Sequence, residues 1–441
     1  METFIVKAAQ FLLSLSILII LHEFGHFLPA KLFKTRVEKF YLFFNPWFSL
    51  IKKKIGDTEY GIGWLPLGGY VKIAGMVDES MDTDFKESEP KPDEFRSKPA
   101  WQRLIIMVGG VVVNVIVAIL IYAGTLSYYG DQYLPTENAK YGITTDSITR
   151  SMGFENGDII LSINGEKVEN FLKIPMEIVL AQEGKIKVLR GNETVELNFD
   201  HEAVKAIIAN PIIIRPRFPY VIEGFTEESM ADEAGLQSGD KLIGLNGEDL
   251  VFFDQYLDKV PGHAGDSVEL MVERNGQMHS YQVHVPESGK IGIRPVGNME
   301  AFFELETKTY SFFESIPAGV EKSYNTLKNY LRQMGLIFNP KTEAYKSVGG
   351  FLTIGDQFPE TWNWQFFWNF TAFLSIMLAF LNILPIPALD GGHVVFVLWE
   401  MVTGKKPNDK VLEYAQIAGF VILVALMLLA NGNDIIRYVF N

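Results

Sequence analysis

The chain has 441 residues, room for two or three domains, and a formal net charge of −14 with no basic face, which excludes a nucleic-acid partner. It has no cysteine, so disulfides and Cys-ligated zinc are ruled out, and either side of a bacterial inner membrane remains compatible. Hydrophobic residues make up 48% of the chain and fall in blocks, which points to a membrane protein.

The first block, about Phe4 to Leu28, is long enough to cross roughly 30 Å of hydrocarbon. It lacks a basic leader and a small-residue cleavage site, and so reads as a retained span. Inside it lies HEFGH, His22 to His26. Residues four apart share a helix face, so His22 and His26 can offer both imidazoles to one metal ion, with Glu23 beside them to take a proton from water. Zinc suits this set. Ionisable groups are costly at membrane depth and mark functional sites there.

Lys31, Lys34, Arg36, Lys39 and then Lys52, Lys53 and Lys54 follow, against the single Glu38. The positive-inside rule makes this loop cytoplasmic and the N-terminus external. The glycine- and aromatic-rich stretch Tyr60 to Met76 predicts a β-hairpin, either cytoplasmic or dipping into the membrane. An acidic segment from Asp78 to Glu94 predicts a solvated loop. A second span, about Leu104 to Tyr128, leads back out, with Asn114 as the polar residue in its interior, placed to bond a neighbouring helix.

Residues from about Gly130 to Trp362 are more polar and external, and contain a repeat. GFENGDIILSINGEKV at Gly153–Val168 aligns without gaps on GLQSGDKLIGLNGEDL at Gly235–Leu250, 82 residues on. Asn-Gly between apolar strands signals a hairpin, so the repeat predicts two small β-rich domains, either spacers or peptide-binding modules. Beyond Pro295 the pattern turns amphipathic and helical through about Phe338.

A third span, about Trp364 to Leu384, carries Trp362, Trp364 and Trp368 as an interfacial belt and breaks into NILPIPALDGGH. Pro385 and Pro387 cannot continue a regular helix, which leaves Asp390 on irregular backbone at the depth of HEFGH. Lys405, Lys406 and Lys410 mark a second cytoplasmic loop before the last span, about Val411 to Ala430. A hydrolytic zinc site needs a third protein ligand and an open position. Asp390 is the candidate by depth, with a helix-capping role for it and ligation by His393 as the alternatives.

HEFGH at His22–His26 and NILPIPALDG at Asn382–Gly391 together resemble the site-2 proteases, intramembrane zinc metalloproteases, in their bacterial form. PLGGYVKI at Pro66–Ile73 is similar to the family's membrane re-entrant β-hairpin, and the paired repeats resemble its tandem PDZ domains. VGGVVVN at Val108–Asn114 departs from the family's usual Ala-Gly-Pro before the Asn, and SVGGFLTI at Ser347–Ile354 from its Gly-Pro-Ile-like turn. The resemblance implies zinc bound by His22, His26 and Asp390 with Glu23 as general base. It further implies that Asn382, Pro385 and Pro387 position substrate, and that the re-entrant hairpin, with Gly68 and Gly69, pairs with an unwound substrate segment. The implied substrates are single-span membrane proteins of the anti-sigma-factor type and remnant signal peptides, cut within the lipid bilayer in a stress response.

The expected fold is a multi-span α-helical membrane protein of about four transmembrane helices with a re-entrant β-hairpin and an inserted tandem of β-rich PDZ-like domains. Its expected segments are a membrane core over 1–129, PDZ-like domains over 130–214 and 215–296, an amphipathic connecting region over 297–362 and a second membrane core over 363–441. The expected location is the bacterial inner membrane, with PDZ-like domains and both termini periplasmic and the active site near the cytoplasmic side. An inactive scaffold would not require His22, Glu23, His26 and Asp390 together, and a metal transporter would spread polar residues over several spans.

Overall fold

The computed structural model describes residues 2–66, 68–76, 89–209, 214–406 and 408–439; most of the acidic segment expected as a solvated loop lies outside them. The chain divides into two compact units. One comprises Met1–Gly130, Thr309–Gly335 and Lys346–Asn441, the other Asp131–Lys308 and Leu336–Tyr345.

Four described helices in the first unit are long and apolar enough to cross a membrane: Thr3–Leu32, Ala100–Tyr129, Trp364–Ile383 and Lys410–Ile436. We label the first two helices α1 (Glu2–Leu32) and α2 (Ala100–Tyr129). Both run a turn or so beyond the expected spans, because a helix continues past the hydrocarbon wherever nothing stops it. Here α2 ends where Gly130 takes a positive φ of 72° and caps Leu126.

Between α1 and α2 lies a four-stranded sheet: β1 (Val37–Leu42), β2 (Phe44–Ile55), β3 (Thr58–Leu65) and β4 (Tyr70–Ile73), in the order β2-β3-β1-β4. The hairpin expected over Tyr60 to Met76 is therefore corrected. Its two strands, β3 and β4, do not pair with each other; β1 lies between them, parallel to β3 and antiparallel to β4. The true hairpin is β2–β3, closed at Gly56. Half of this sheet comes from the lysine-rich stretch, where charge masked the strand pattern.

The sheet runs alongside α1. At one end Lys31 donates to the Thr58 hydroxyl at 2.8 Å, and Thr58 to the Val37 carbonyl at 2.7 Å. At the other, a methyl on Gly69 would meet Ile19 and lie 3.6 Å from Glu23 Cγ. Lys31 and Ile19 are twelve residues apart on α1, about 18 Å of helix.

Two larger sheets dominate the second unit, with three two-stranded ones beside them among the described residues. A three-stranded one follows the order Ile159–Ile163, Gly184–Arg190, Glu193–Phe199. A four-stranded one follows Glu248–Asp249, Lys241–Leu245, Ser267–Arg274, Gln277–His284. The repeat is visible in both. Asn164-Gly165 and Asn246-Gly247 take positive φ at both positions (51° and 84°, 49° and 81°), the requirement of a type I′ turn. Asp158 and Asp240, the aspartates of the two Gly-Asp pairs, are buried and ion-paired to Arg190 and Arg274 at 2.8 and 2.6 Å. Each arginine also donates to the first glycine carbonyl of its repeat, Gly153 and Gly235.

The amphipathic helix spans Phe312–Ile337, starting later than Pro295 because Glu306–Lys308 is a strand paired with Asp131–Tyr133. Leu336 and Ala344 belong to the core around the three-stranded sheet, with Ile160, Ile186 and Val188.

Candidate metal centre

His22 and His26 lie one turn apart on α1, at 9% and 6% exposure, with rings edge to face at 4.9 Å. Their Nε2 atoms are 3.3 Å apart, and Asp390 Oδ2 lies 3.3 Å from each. The three atoms form a near-equilateral triangle. Oδ2 is buried and, among the described residues, has no hydrogen-bond partner. Tetrahedral zinc with bonds of about 2.0–2.1 Å requires ligand atoms about 3.3 Å apart, so this donor set fits zinc and leaves a fourth position open. An aspartate that merely capped a helix would spend its oxygens on backbone N–H groups. His393, the alternative ligand, is not in the converging group found among the described residues.

Each imidazole is also held from behind. His26 Nδ1 donates to the Ile106 carbonyl of α2 at 2.8 Å, leaving Nε2 as the nitrogen that faces Asp390. His22 Nδ1 lies 3.0 Å from the Asn114 side-chain nitrogen, while Asn114 Oδ1 is buried without a partner among the described residues. A ring that binds metal through Nε2 keeps its proton on Nδ1 and needs an acceptor, so the amide turned by 180° satisfies both groups. Asn114 therefore bonds a site histidine, a sharper role than the general helix contact its position suggested. Its carbonyl accepts from Ser375 at 2.8 Å, tying α2 to the third span.

The helices approach closely because they meet at glycine. A methyl on Gly25 would collide with the Gly109 carbonyl, and one on Gly110 would meet His26 Nε2 and stand 2.6 Å from His22 Cε1. Sequence reasoning treated Gly109 and Gly110 only as a departure from a motif and passed over Ile106. The available signal was a Gly-Gly pair in an apolar span, which permits close helix packing.

Asp390 is set by the break after the third span. Ala388 adopts a left-handed φ of 79°, a strained conformation of the kind that surrounding structure must enforce. The helix Asp390–Thr403 then starts at Asp390 itself. A methyl on Gly391 would strike the Leu384 and Ile383 carbonyls, so only glycine lets the chain fold back this tightly.

Glu23 is half-buried, next to His22, and a methyl on Gly69 would lie 3.6 Å from its Cγ. Asn382 Nδ2 lies 3.2 Å from His22 Nε2. Pro385 is exposed, the Pro387 carbonyl packs on Gly419 of the last helix, and Gly68 faces the Phe44 ring. Thus His22, His26, Asp390, Asn382, Glu23 and Gly69 converge, while Pro387 and Gly68 serve the elements around them.

Residues 10–426 match the model of peptidase family M50. The chain is 29% identical to the regulator of sigma E protease of Haemophilus influenzae, covering 99% of this chain and all of the relative. It is 28% identical to the regulator of sigma-E protease RseP of Escherichia coli over 99% and 100% of the two chains. A candidate zinc metalloprotease of Neisseria meningitidis is 30% identical over 97% of this chain and 98% of its own.

Proposed function

Because this chain belongs to peptidase family M50 and is a zinc metalloprotease of the site-2 type, we propose that it hydrolyses peptide bonds inside the membrane-spanning segments of single-span proteins. The observation that carries the reading is the 3.3 Å triangle of His22, His26 and Asp390. These three residues hold the zinc, and Glu23 is the general base. Zinc, when bound, supplies Lewis-acid polarisation and makes water acidic enough to react near neutral pH. The Glu23 carboxylate takes the proton from the attacking water and returns it to the nitrogen of the broken bond. His26 is fixed by the Ile106 carbonyl and His22 by Asn114, so neither ring must reorient.

A membrane-spanning helix hides its carbonyls in its own hydrogen bonds and must be extended before cleavage. Among the described residues β4 is an edge strand paired only with β1, and it offers a backbone ladder for that extended segment, beginning at Gly69 near Glu23. The sheet enters the membrane from the cytoplasmic side: its Thr58 end is level with Lys31, and its Gly69 end is level with Ile19 and Glu23. Trp47, Phe48, Leu50 and Ile51 are exposed on β2, as a lipid-facing strand requires. Asn382, beside His22, guides the substrate together with the bend at Pro385 and Pro387 that leads to Asp390.

Two of the relatives are named as regulators of sigma E, and we extend that role to this chain, with substrates of the anti-sigma-factor type cut in the inner membrane. The inserted β domains are PDZ-like, lie outside, and screen substrates by size. The test is metal analysis with cleavage of a single-span model substrate by the parent, Asp390→Ala and Glu23→Gln. Zinc binding undiminished in Asp390→Ala, or normal cleavage by Glu23→Gln, overturns the assignment.

A further inference from the structure

β4 is only four residues long and pairs with β1 over Val37↔Ile73, Lys39↔Lys72, Phe40↔Val71 and Tyr41↔Tyr70, with an irregularity between Val37 and Lys39. So short a ladder, broken by a bulge, specifies register weakly through its backbone. Side chains supply what the backbone lacks. The Tyr70 ring lies flat between Tyr41 (5.4 Å, 9°) and Phe44 (6.0 Å, 8°). Its hydroxyl donates to Asn45 Oδ1 at 2.8 Å, and Asn45 Nδ2 donates to the Ser49 hydroxyl at 3.0 Å. Ser49 meets the Tyr41 hydroxyl at 3.2 Å, and Tyr41 donates to Glu59 at 2.7 Å. One polar chain thus runs from β4 through β2 and β1 to β3.

Glycines make room for this stack. A methyl on Gly61 would enter the Tyr41 ring, and one on Gly68 would stand 2.8 Å from the Phe44 ring. Tyr70 directly follows Gly69, where an added methyl would lie 3.6 Å from Glu23 Cγ. Whatever holds Tyr70 therefore holds the start of the edge strand against the general base.

We propose that Asn45, with the stacked rings of Tyr41, Tyr70 and Phe44, is a positioning device that selects which peptide bond of the extended substrate is cut. The proposal rests on the reading that the substrate adds as a strand to β4. A strand advances about 3.3 Å per residue, and successive carbonyls point to opposite sides. A one-residue displacement turns the next carbonyl away from Glu23. A displacement of two residues, about 6.6 Å, restores the orientation. Loosening the brace should therefore add a second cut two residues from the first, and not a smear over adjacent bonds.

The experiment uses the full chain in liposomes, loaded with zinc, with a single-span model substrate and mass mapping of both product ends. Tyr70→Phe removes one hydroxyl and keeps the stack, Asn45→Ala removes the acceptor, and Tyr70→Ala removes both ring and hydroxyl. Zinc content should equal the parent's in all three. Loss of one hydrogen bond should raise KM about 2–10-fold with a smaller change in kcat. The second cut should grow from Tyr70→Phe to Tyr70→Ala. A single cut at the parent position with the parent's KM in Tyr70→Phe and Asn45→Ala overturns the proposal, whether or not Tyr70→Ala folds. Lys72→Pro, which removes an N–H from β4, separates the two layers. If it retains zinc and cleaves normally, the strand-addition reading itself fails. If it is inactive while the brace variants cut as the parent does, only the brace fails.

Discussion

Gly25 of α1 and Gly109 of α2 are in backbone contact, each placed so that a methyl on one would strike the carbonyl of the other. This contact brings the Ile106 carbonyl to His26 and Asn114 to His22. The proposed metal site is thus as much a product of α2, which supplies none of its three converging atoms, as of α1. Gly110 lies directly against the two imidazoles.

Gly110→Ala should therefore lose zinc, because its new methyl falls on His26 Nε2 and His22. Gly124→Ala is the control on the same helix, with nothing within 4 Å of the added carbon. Metal analysis of the purified variants should find zinc retained in the second and depleted in the first. Equal zinc in both would mean that α2 does not pack against the site in this way.

Asp390→Ala removes one of the three atoms proposed to hold the zinc. Loss of an outer partner of a ligand typically costs 10–100-fold in metal affinity, so loss of the ligand itself should cost at least about 100-fold. Competition with a chelator of known affinity measures it. An unchanged constant would move the third ligand elsewhere.

Glu23→Gln should keep the parent's zinc and lower kcat by roughly 10²–10⁴-fold, the usual contribution of a general base. Cleavage within a factor of a few of the parent would remove Glu23 from that role.

Burial raises the Asp240 carboxyl pKa, but its bonds to Arg274 and the Gln237 N–H outweigh this and hold it below the usual carboxylate value. A folded pKa below the unfolded one gives stability that is complete above the unfolded value, about 3.9, and is lost as pH falls through the folded value. Hydrogen exchange at Lys241–Leu245 and Ser267–Arg274 should quicken across that acid window. Asp240→Asn should reproduce part of the loss at neutral pH, since Arg274 is left without its charge partner. Protection unchanged in Asp240→Asn would make the pair incidental.

If the β domains screen by size, their removal should spare short-tailed substrates and admit those with large outer domains. The structure changes where to cut. Excision at Pro295 would strip Glu306–Lys308 of its partner Asp131–Tyr133, so Asp131–Lys308 should be removed as a whole and rejoined by a flexible linker. Leu336 and Ala344, which lose their core, should become polar in the same variant. Unchanged selectivity between the two substrate types would mean that the domains gate nothing.

The four apolar helices, HEFGH and the proline-broken segment before Asp390 are legible in the sequence because each is a local property. Hydropathy over some twenty residues, a four-residue spacing on a helix and the φ preferences of proline act within one segment. The Asn-Gly turns of the repeat are local in the same sense, since only their own backbone angles are at stake. The order β2-β3-β1-β4 is not local. Placing β1 between β3 and β4 depends on pairing partners that leave no mark in spacing, and β2 hides its pattern behind Lys52, Lys53 and Lys54. Nor does sequence link Asp158 to Arg190, Gly110 to two imidazoles, or Ile106 to His26, since each pair is joined only when distant segments pack. The sequence carries the ligand types and their depth. The 3.3 Å triangle is decided by tertiary structure, because closing it requires α1, the glycine face of α2 and the strained turn at Ala388 to meet at one point.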